Sequence, residues 1–349
     1  MKSEVLIVGA GAVGCLTAMT LAQRGLQVTL VERGALGAES SWAGGGILFP
    51  LLPWNYGEPV NRLALAGAAR YPQLAEQLCA DTGIDPEYRP CGMQVLPSFE
   101  CDKALAWCAQ HDVVAQLDES QSLWLPQVAQ VRNPRLLQAL RAWLDGHGVA
   151  LREGVEMTPV AGKTRQLGAW RSTAGELFEA GHYVITAGAW SRQLLGEHAL
   201  RLDVRPMRGQ MLLYRIPPER LPHLVYHEDF YLIPRADGHV LAGSTVEDVG
   251  FDKSTTPAAM AELQRKAAAI LPELAGMQPI KQWSGLRPGS PDNVPVIARH
   301  PQFDNLWLNA GHFRYGVTMA PASAEILAGL MLGGVLDALP IAGDYPFPA

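Results

Sequence analysis

Residues 4–32 have the sequence EVLIVGAGAVGCLTAMTLAQRGLQVTLVE and decide the fold of this 349-residue chain. The apolar run 5–8 shows no alternation, which predicts a buried parallel strand over 4–8. Apolar residues at helical spacing predict a helix over 12–24, and Gly25 is well suited to end it. A second strand is predicted over 27–31. The chain therefore begins with a β-α-β unit.

The turn between this strand and helix carries the pattern G-x-G-x-x-G. Gly9 is expected to form the tight turn, Gly11 to let the backbone approach a pyrophosphate, and Gly14 to let the helix pack closely on the strand. The helix N-terminus supplies free N–H groups and the positive end of a dipole. Glu32 ends the second strand, where its carboxylate suits ribose hydroxyls and would repel a 2′-phosphate. The alternative is a glycine-rich turn without a ligand.

Composition and charge exclude several classes of protein. The net charge is −6, with 28 basic and 34 acidic residues. Nucleic-acid binding and attraction to anionic lipid both need basic patches, so neither is expected. The five cysteines are odd in number, form no C-x-x-C pair and end at Cys108. We therefore expect a cytoplasmic protein without a disulfide framework.

Two apolar stretches raise the question of export or membrane insertion. Residues 5–22 carry no charge, as in a signal peptide, but three glycines and the following strand favour the β-α-β unit. The stretch 326–336 spans about half the length that a membrane helix needs. No stable membrane insertion is expected.

The rest of the chain alternates between parallel α/β elements and antiparallel strands. Helices are predicted over 60–81, 103–109, 134–145, 257–271 and 317–332, and strands over 93–96, 182–186, 207–216, 230–234, 239–243 and 306–309. A long Gly/Ser loop is predicted over 34–53. The fold class is therefore α/β, with a Rossmann-like dinucleotide-binding domain (1–84, 132–203 and 284–349) interleaved with an antiparallel-sheet α+β substrate domain (85–131 and 204–283).

Four further segments carry a resemblance to a known family. They are SSWAGGGIL at 40–48, YVITAGAWS at 183–191, SGLRPGSPD at 284–292 and GHFRYGV at 311–317. Together with the first motif they resemble the D-amino-acid oxidase family of FAD-dependent oxidoreductases, and within it the bacterial glycine oxidases of thiamine biosynthesis. The resemblance covers residues 4 to about 332 and implies a two-domain flavoprotein. FAD is expected to be noncovalent, because sarcosine oxidases anchor flavin through a cysteine in the C-terminal half, which this chain lacks.

The resemblance also implies the residues that contact FAD. They are Gly9, Gly11, Ala12, Val13, Gly14, Glu32, Arg33, Ser40, Ser41, Gly45, Gly46, Ile47, Val160, Ala187, Gly188, Trp190, His312, Arg314, Tyr315, Gly316 and Val317. A helix that begins at Gly316 would direct N–H groups and a positive dipole end at a negatively charged flavin edge. For His312 a structural hydrogen bond is favoured over a catalytic role.

Substrate-binding residues are implied in the same way. Arg287 corresponds to the arginine that binds the substrate carboxylate, for which a planar guanidinium fork is well suited. Pro288 and Gly289 suggest a rigid turn behind it. Tyr231 is expected to donate to the carboxylate and Tyr226 to shape the cavity. The alternatives are a solvated arginine and tyrosines that only pack in the core.

Three more positions complete the predicted pocket. Arg314 is similar to a family arginine near substrate and flavin, and Ile47 and Val246 correspond to small apolar pocket residues. Val246 is shorter than the methionine associated with that position. No general base is nominated. A zinc site at His223 and His227 is disfavoured because Pro222 precedes them in a strand-like region.

The predicted activity is FAD-dependent oxidative deamination of glycine, and also of sarcosine and small D-amino acids. The products are the 2-oxo acid, ammonia or an amine, and hydrogen peroxide, with O₂ as the partner substrate. The main alternative is a D-amino-acid dehydrogenase that passes electrons to a quinone. A non-catalytic flavin-binding sensor would not need Arg287 and Tyr231 together, and a tRNA-modifying relative is disfavoured by the acidic balance. A homo-oligomer, tetramer or dimer, is expected.

Overall fold

The computed structural model describes residues 2–333 and 342–348. Its helices are α1 (Ala12–Gln23), α2 (Ser40–Ala43), α3 (Glu58–Ala68), α4 (Tyr71–Thr82), α5 (Cys101–Gln110), α6 (Asn133–Gly146), α7 (Ser191–Leu195), α8 (Pro257–Ile270) and α9 (Gly316–Leu332). Its strands are β1 (Lys2–Val8), β2 (Val28–Glu32), β3 (Arg89–Pro90), β4 (Met93–Val95), β5 (Gln116–Leu117), β6 (Leu123–Leu125), β7 (Ala129–Gln130), β8 (Ala150–Glu153), β9 (Trp170–Arg171), β10 (Leu177–Ile185), β11 (Arg205–Arg215), β12 (Leu224–His227), β13 (Phe230–Pro234), β14 (His239–Gly243), β15 (Lys281–Gly289), β16 (Val296–Arg299) and β17 (Leu306–Ala310).

The first sheet is the predicted Rossmann-like sheet. Its strands follow the order β16-β17-β10-β1-β2-β8, with β9 beside β10. Strand β1 pairs in parallel with β2 and β10, so that Val5 lies opposite both Val28 and His182. Helix α1 connects β1 to β2 across one face, as the apolar spacing predicts. The α/β fold class is confirmed.

The second sheet has the order β15-β11-β14-β13-β12-β4-β6-β5 and is antiparallel except between β12 and β4. Strand β15 pairs with β11 over its whole length, from Lys281 to Gly289. It therefore crosses the predicted domain boundary at 284, and residues 284–289 belong to this sheet. The turn predicted at Pro288 and Gly289 is wrong for the same reason, because both residues continue the strand.

Two local predictions need correction in the helical regions. The single helix predicted over 60–81 is two helices, α3 and α4, separated at Ala69 and Arg70. Pro72 explains the break, since proline suits the first turn of a new helix and not a helix interior. The loop predicted over 34–53 contains the short helix α2.

Helix α9 lies in the protein core, against helices α1 and α3 and the first sheet. The stretch Phe313–Leu332 is long and apolar enough to cross a membrane, but 67% of that window is buried inside the protein. It packs on α1 and α3, and residues such as Met319, Ile326 and Leu327 are fully buried. This is the environment of a core helix. Of the apolar stretch 326–336, positions 334–336 lie outside the described residues.

Candidate active site

A cavity of about 390 Å³ lies between the two sheets. It extends from Glu32 and Arg33, past the turn at Gly9, to Tyr231 and Arg287. Most of the predicted site residues line it, although they come from distant parts of the sequence. Among the predicted residues, Gly14, Val160, Tyr226 and Val246 do not belong to its lining.

The glycine turn is packed too tightly for any side chain. Gly9 has φ +109°, and a Cβ there would lie 2.6 Å from the carbonyl oxygen of Thr186. A Cβ on Gly14 would lie 1.9 Å from the carbonyl oxygen of Gly9. The Thr186 hydroxyl donates to this same oxygen at 2.7 Å. Gly14 therefore supports the turn from behind, which is why it does not line the cavity, and α1 begins directly at the cavity wall.

Glu32 and Arg33 form the wall at the other side of this turn. The Glu32 carboxylate accepts hydrogen bonds from the backbone N–H groups of Ala10 (2.9 Å) and Gly34 (3.0 Å). It is thus held in place while its remaining lone pairs face the cavity. The Arg33 guanidinium lies 3.8 Å from the centre of the Trp190 ring, a cation–π contact. This end of the cavity suits a ribose and an aromatic base.

The loop 44–47 forms the middle of the wall and is held from three sides. Gly46 has φ +76°, and a Cβ there would lie 2.2 Å from the carbonyl oxygen of Val131. Asn133 donates to the carbonyl oxygen of Ser41 (2.7 Å), and the Ser41 hydroxyl accepts from the N–H of Ala12 (2.9 Å). The Thr318 hydroxyl donates to the carbonyl oxygen of Ile47 (2.9 Å).

A buried arginine supplies the third support of this loop. Arg235 is 4% exposed and donates to the carbonyl oxygens of Gly45 (2.8 Å) and Val131 (2.9 Å) and to the amide oxygen of Gln130. Burial lowers the pKa of Arg235 to about 10, so the side chain stays charged at neutral pH. Its partners are neutral acceptors, and they fix the loop relative to β13.

Arg287 lies at the opposite end of the cavity from Glu32. Its guanidinium donates to the Ser244 hydroxyl (2.7 Å) and to the carbonyl oxygen of Thr245 (3.1 Å). Burial lowers the pKa of Arg287, an effect that Tyr231 opposes and Arg314 reinforces. Among the described residues no carboxylate lies within ion-pair distance of Arg287. The site thus offers a positive charge to an incoming anion.

A missing side chain creates the space for this guanidinium. Gly209 lies on the neighbouring strand β11, and a Cβ there would lie 2.1 Å from Nη1 of Arg287. The guanidinium therefore rests flat on the backbone of β11. Tyr231 lies opposite Gly243 on β14, and its hydroxyl donates to the sulfur of Met211 at 3.4 Å. Arg287, Arg314 and Tyr231 share this end of the cavity.

The start of α9 closes the cavity. Tyr315 is buried, and its hydroxyl exchanges hydrogen bonds with the backbone of Leu51 (3.1 and 3.2 Å). His312 is 1% exposed, and its Nε2 lies 2.8 Å from the Ser323 hydroxyl. Burial lowers the pKa of His312 to about 3, so the ring is neutral at physiological pH. The geometry gives this histidine a structural contact, while its backbone faces the cavity.

Three other predicted site residues, Val246, Val160 and Tyr226, lie outside the cavity lining, and the sequence favours no site at His223. Val246 is 39% exposed and outside the cavity lining, in the segment after β14, where its neighbour Glu247 pairs with Arg208. Val160 is buried in a separate apolar cluster, while its neighbours Met157 and Pro159 line the cavity. Tyr226 is buried beside Tyr231, and burial raises its pKa. His223 lies 3.3 Å from the amide oxygen of Gln94 and is not part of any cluster of potential metal ligands among the described residues.

The sequence analysis missed the residues that support the site from behind. Asn133, Gly209, Arg235, Ser244 and Thr245 make the contacts that position the loop 44–47 and Arg287. A signal was present for Gly209 and Arg235, since a glycine inside a strand indicates close approach of another group. An arginine that ends an apolar strand, as Arg235 does, is equally unusual.

The comparisons with known proteins agree with this geometry. Residues 4–330 match the family described as FAD dependent oxidoreductase, abbreviated DAO. The chain therefore belongs to this family, and its cofactor is FAD, as predicted.

Similar proteins of known name narrow the family further. A glycine oxidase from Pseudomonas aeruginosa is 43% identical over 98% of this chain and 99% of its own length, and one from Pseudomonas putida is 41% identical over 99% of both. The bifunctional protein ThiO/ThiG from Synechocystis is 33% identical over 95% of this chain and 52% of its own length. The crystal structure of glycine oxidase from Geobacillus kaustophilus superposes with a TM-score of 0.92 at 27% identity, covering 99% of this chain and 98% of that one. The predicted resemblance is confirmed.

The residues present fit FAD on structural grounds alone. Gly9 and Gly11 carry no side chains, which leaves a cradle for a pyrophosphate at the start of α1, where the positive end of the helix dipole lies. Glu32 and Trp190 would hold the adenosine. The loop 44–47 and the start of α9 would hold the flavin, with the dipole of α9 directed at it.

Proposed function

We propose that this protein oxidises the amine of glycine, and of sarcosine and small D-amino acids, to an imine that water hydrolyses to the 2-oxo acid and ammonia or an amine. The observation that carries this proposal is the guanidinium of Arg287, which lies at the cavity wall with neutral protein partners. A charged arginine of this kind needs an anion, and the carboxylate of an amino acid provides it.

Orientation of the substrate is the main task of the protein. A carboxylate bound to Arg287 is fixed in plane and direction, because the guanidinium itself is fixed by Ser244 and Thr245. Tyr231 and Arg314 flank the same space and add donors to the carboxylate. When bound, FAD accepts a hydride from Cα of the substrate, so the position of Cα decides the rate.

The proton chemistry of the site is consistent with a substrate that enters with a neutral amine. The ionisable side chains at the Arg287 end of the described lining are Tyr231, Arg287, His312, Arg314 and Tyr315. His312 is neutral and is hydrogen-bonded to the Ser323 hydroxyl. Burial raises the pKa of Tyr315 well above its usual range. None of these side chains is a carboxylate that could act as a general base. A rate that rises with the fraction of unprotonated amine is therefore expected.

The proposal also covers the electron acceptor, the attachment of the flavin and the assembly of the protein. We propose O₂ as acceptor, which yields hydrogen peroxide, and a noncovalent flavin, since no cysteine is found among the described residues that line the cavity. The five cysteines are free, which suits the cytoplasm. We also propose a homo-oligomer and two interleaved domains, with residues 284–289 assigned to the substrate domain because β15 pairs with β11.

A visible spectrum tests the function directly. The purified protein is expected to show a flavin spectrum that bleaches when glycine is added without air and returns when O₂ is admitted. Acid precipitation is expected to release all flavin from the polypeptide. Bleaching that only a quinone or a dye reverses would instead establish the dehydrogenase alternative. A flavin spectrum that no amino acid bleaches would contradict the proposal.

A further inference from the structure

The segment 244–254 follows β14 and runs beside β11, behind Arg287. Arg208 and Glu247 exchange both backbone hydrogen bonds, each at 2.9 Å, so the segment continues the ladder of the sheet. Side chains alternate along such a segment. Thr245 and Glu247 therefore point to the side of Arg208 and Gln210, whereas Val246 points to solvent.

A buried ion pair holds this segment. Arg208 is 4% exposed and donates to Glu247 (2.6 Å) and to Asp252 (2.7 Å). Burial opposes ionisation of Glu247, but the hydrogen bonds from Arg208, Thr245 and Gln210 outweigh it and lower the pKa of Glu247 on balance. Loss of the Glu247 charge would leave the buried Arg208 with the half-exposed Asp252 as its remaining carboxylate partner among the described residues, which weakens the hold on the segment.

A continuous path of hydrogen bonds connects this ion pair to Arg287. The second oxygen of Glu247 accepts from the Thr245 hydroxyl (2.5 Å) and from the Gln210 amide (2.9 Å). The Thr245 hydroxyl also accepts from the backbone N–H of Gln210 (2.9 Å). The carbonyl oxygen of Thr245 then accepts from Arg287 at 3.1 Å. Thr245 is thus fixed on one side by Glu247 and fixes the guanidinium on the other.

We propose that the Arg208–Glu247 pair positions Arg287 for binding the substrate carboxylate. This inference rests on the proposed function. Arg287 has only neutral acceptors to orient it, and these belong to the backbone and side chains of 244–245. That backbone is in turn aligned with β11 through Glu247. Glu247 is a positioning residue in this scheme, since it touches neither the cavity nor the reacting atoms.

The chain offers a matched control in the second carboxylate of the same arginine. Asp252 is 52% exposed, and its other contacts are with the N–H (2.8 Å) and hydroxyl (2.9 Å) of Ser254. It has no hydrogen bond to Thr245 or Gln210. Loss of its charge therefore weakens the pairing of Arg208 without disturbing the path to Arg287.

The experiment measures carboxylate binding in the holoenzyme, separately from turnover. Glycolate carries the carboxylate of glycine without the amine, and its dissociation constant is obtained from the change in flavin absorbance. In Glu247→Gln we expect the Kd of glycolate and the KM of glycine to rise about tenfold, with kcat and FAD content within about twofold of the wild type. In Asp252→Asn all four quantities are expected to stay within about twofold.

A second variant keeps the inference testable if Glu247→Gln does not fold. Thr245→Val removes the hydroxyl that joins Glu247 to Gln210 and is expected to raise both constants about threefold. Wild-type constants in both variants would overturn the inference, as would an equal effect of Asp252→Asn, or a parallel loss of FAD. If the wild-type holoenzyme itself binds no glycolate and is not reduced by glycine, the proposed function fails instead.

Discussion

The two ends of the cavity are built in different ways. At the adenosine end, the turn 9–14 and Glu32 come from one continuous stretch of 29 residues, 4–32. At the substrate end, Arg287 depends on Gly209, Ser244 and Thr245, which come from different strands of the second sheet. The turn and Glu32 are thus local in sequence, whereas Arg287 and its supports are not.

This difference predicts different consequences of mutation. Changes at the turn act on the path of the backbone and should remove the cofactor, whereas changes around Arg287 act on one side chain and should spare it. FAD content and substrate binding are therefore expected to separate. The following variants test that separation, from the largest expected effect to the smallest.

Gly14→Ala is expected to prevent formation of the holoprotein. Its Cβ would lie 1.9 Å from the carbonyl oxygen of Gly9, a distance at which the backbone of the turn must move. Gly146→Ala is the matched control, because nothing lies within 4 Å of the added methyl group. The ratio of flavin to protein absorbance after purification checks both variants. Normal FAD content in Gly14→Ala would show that the turn tolerates a side chain.

Arg287→Ala is expected to lower kcat/KM for glycine roughly 10²-fold, which corresponds to about 3 kcal/mol of lost charge-assisted bonding. Arg287→Lys should recover little of this, since an ammonium cannot form the planar fork. The flavin spectrum should persist in both variants. Steady-state kinetics on glycine and on a small amine without a carboxylate provide the check. An equal loss for both substrates would indicate general damage to the site.

The same difference explains how much the sequence could predict. Glu32 and the glycines lie close together in the chain, so a pattern of spacing places them in space without knowledge of the fold. Arg287 was placed only through the resemblance, and its neighbours were missed because strand pairing joins residues 209, 244 and 287. Val246 does not line the cavity, and the pairing of its segment with β11 could not be predicted from the sequence.

Glu32→Ala is expected to weaken FAD binding about 30-fold, or about 2 kcal/mol. It removes the acceptor for ribose hydroxyls and also for the N–H groups of Ala10 and Gly34. Glu32→Gln retains an acceptor oxygen and should be affected less. Titration of the apoproteins with FAD, followed by fluorescence quenching, gives both constants. Equal affinity in Glu32→Ala and the wild type would rule out the ribose contact.

Gly209→Ala is expected to raise the KM of glycine about tenfold with FAD content unchanged. The new methyl group occupies the space of Nη1 of Arg287, so the guanidinium must lift away from β11. Gly168→Ala, with open space around the added Cβ, serves as the control. Kinetics and flavin absorbance are measured on the same preparations. A variant that loses FAD in proportion to activity would erase the proposed separation between the two ends.

His312→Gln is expected to have the smallest effect, and the effect should depend on pH. His312 lies just before α9 and lines the cavity, and burial lowers its pKa to about 3 from about 6.5 in an unfolded chain. The unfolded state therefore binds the proton more readily. Because of this, the free energy of unfolding decreases as the pH falls below about 6.5. At pH 5.5 the decrease is about 1.4 kcal/mol, and it is absent at pH 7.5.

Gln retains an amide at the place of Nε2 for Ser323 but does not titrate, so the variant should lose less stability than the wild type between these two pH values. Ser323→Ala removes the partner and leaves the histidine, so it should retain the wild-type pH dependence. Urea unfolding of all three proteins at pH 7.5 and 5.5 measures the differences. A His312→Gln variant that loses as much stability as the wild type on acidification would show that the histidine is not buried in the neutral form.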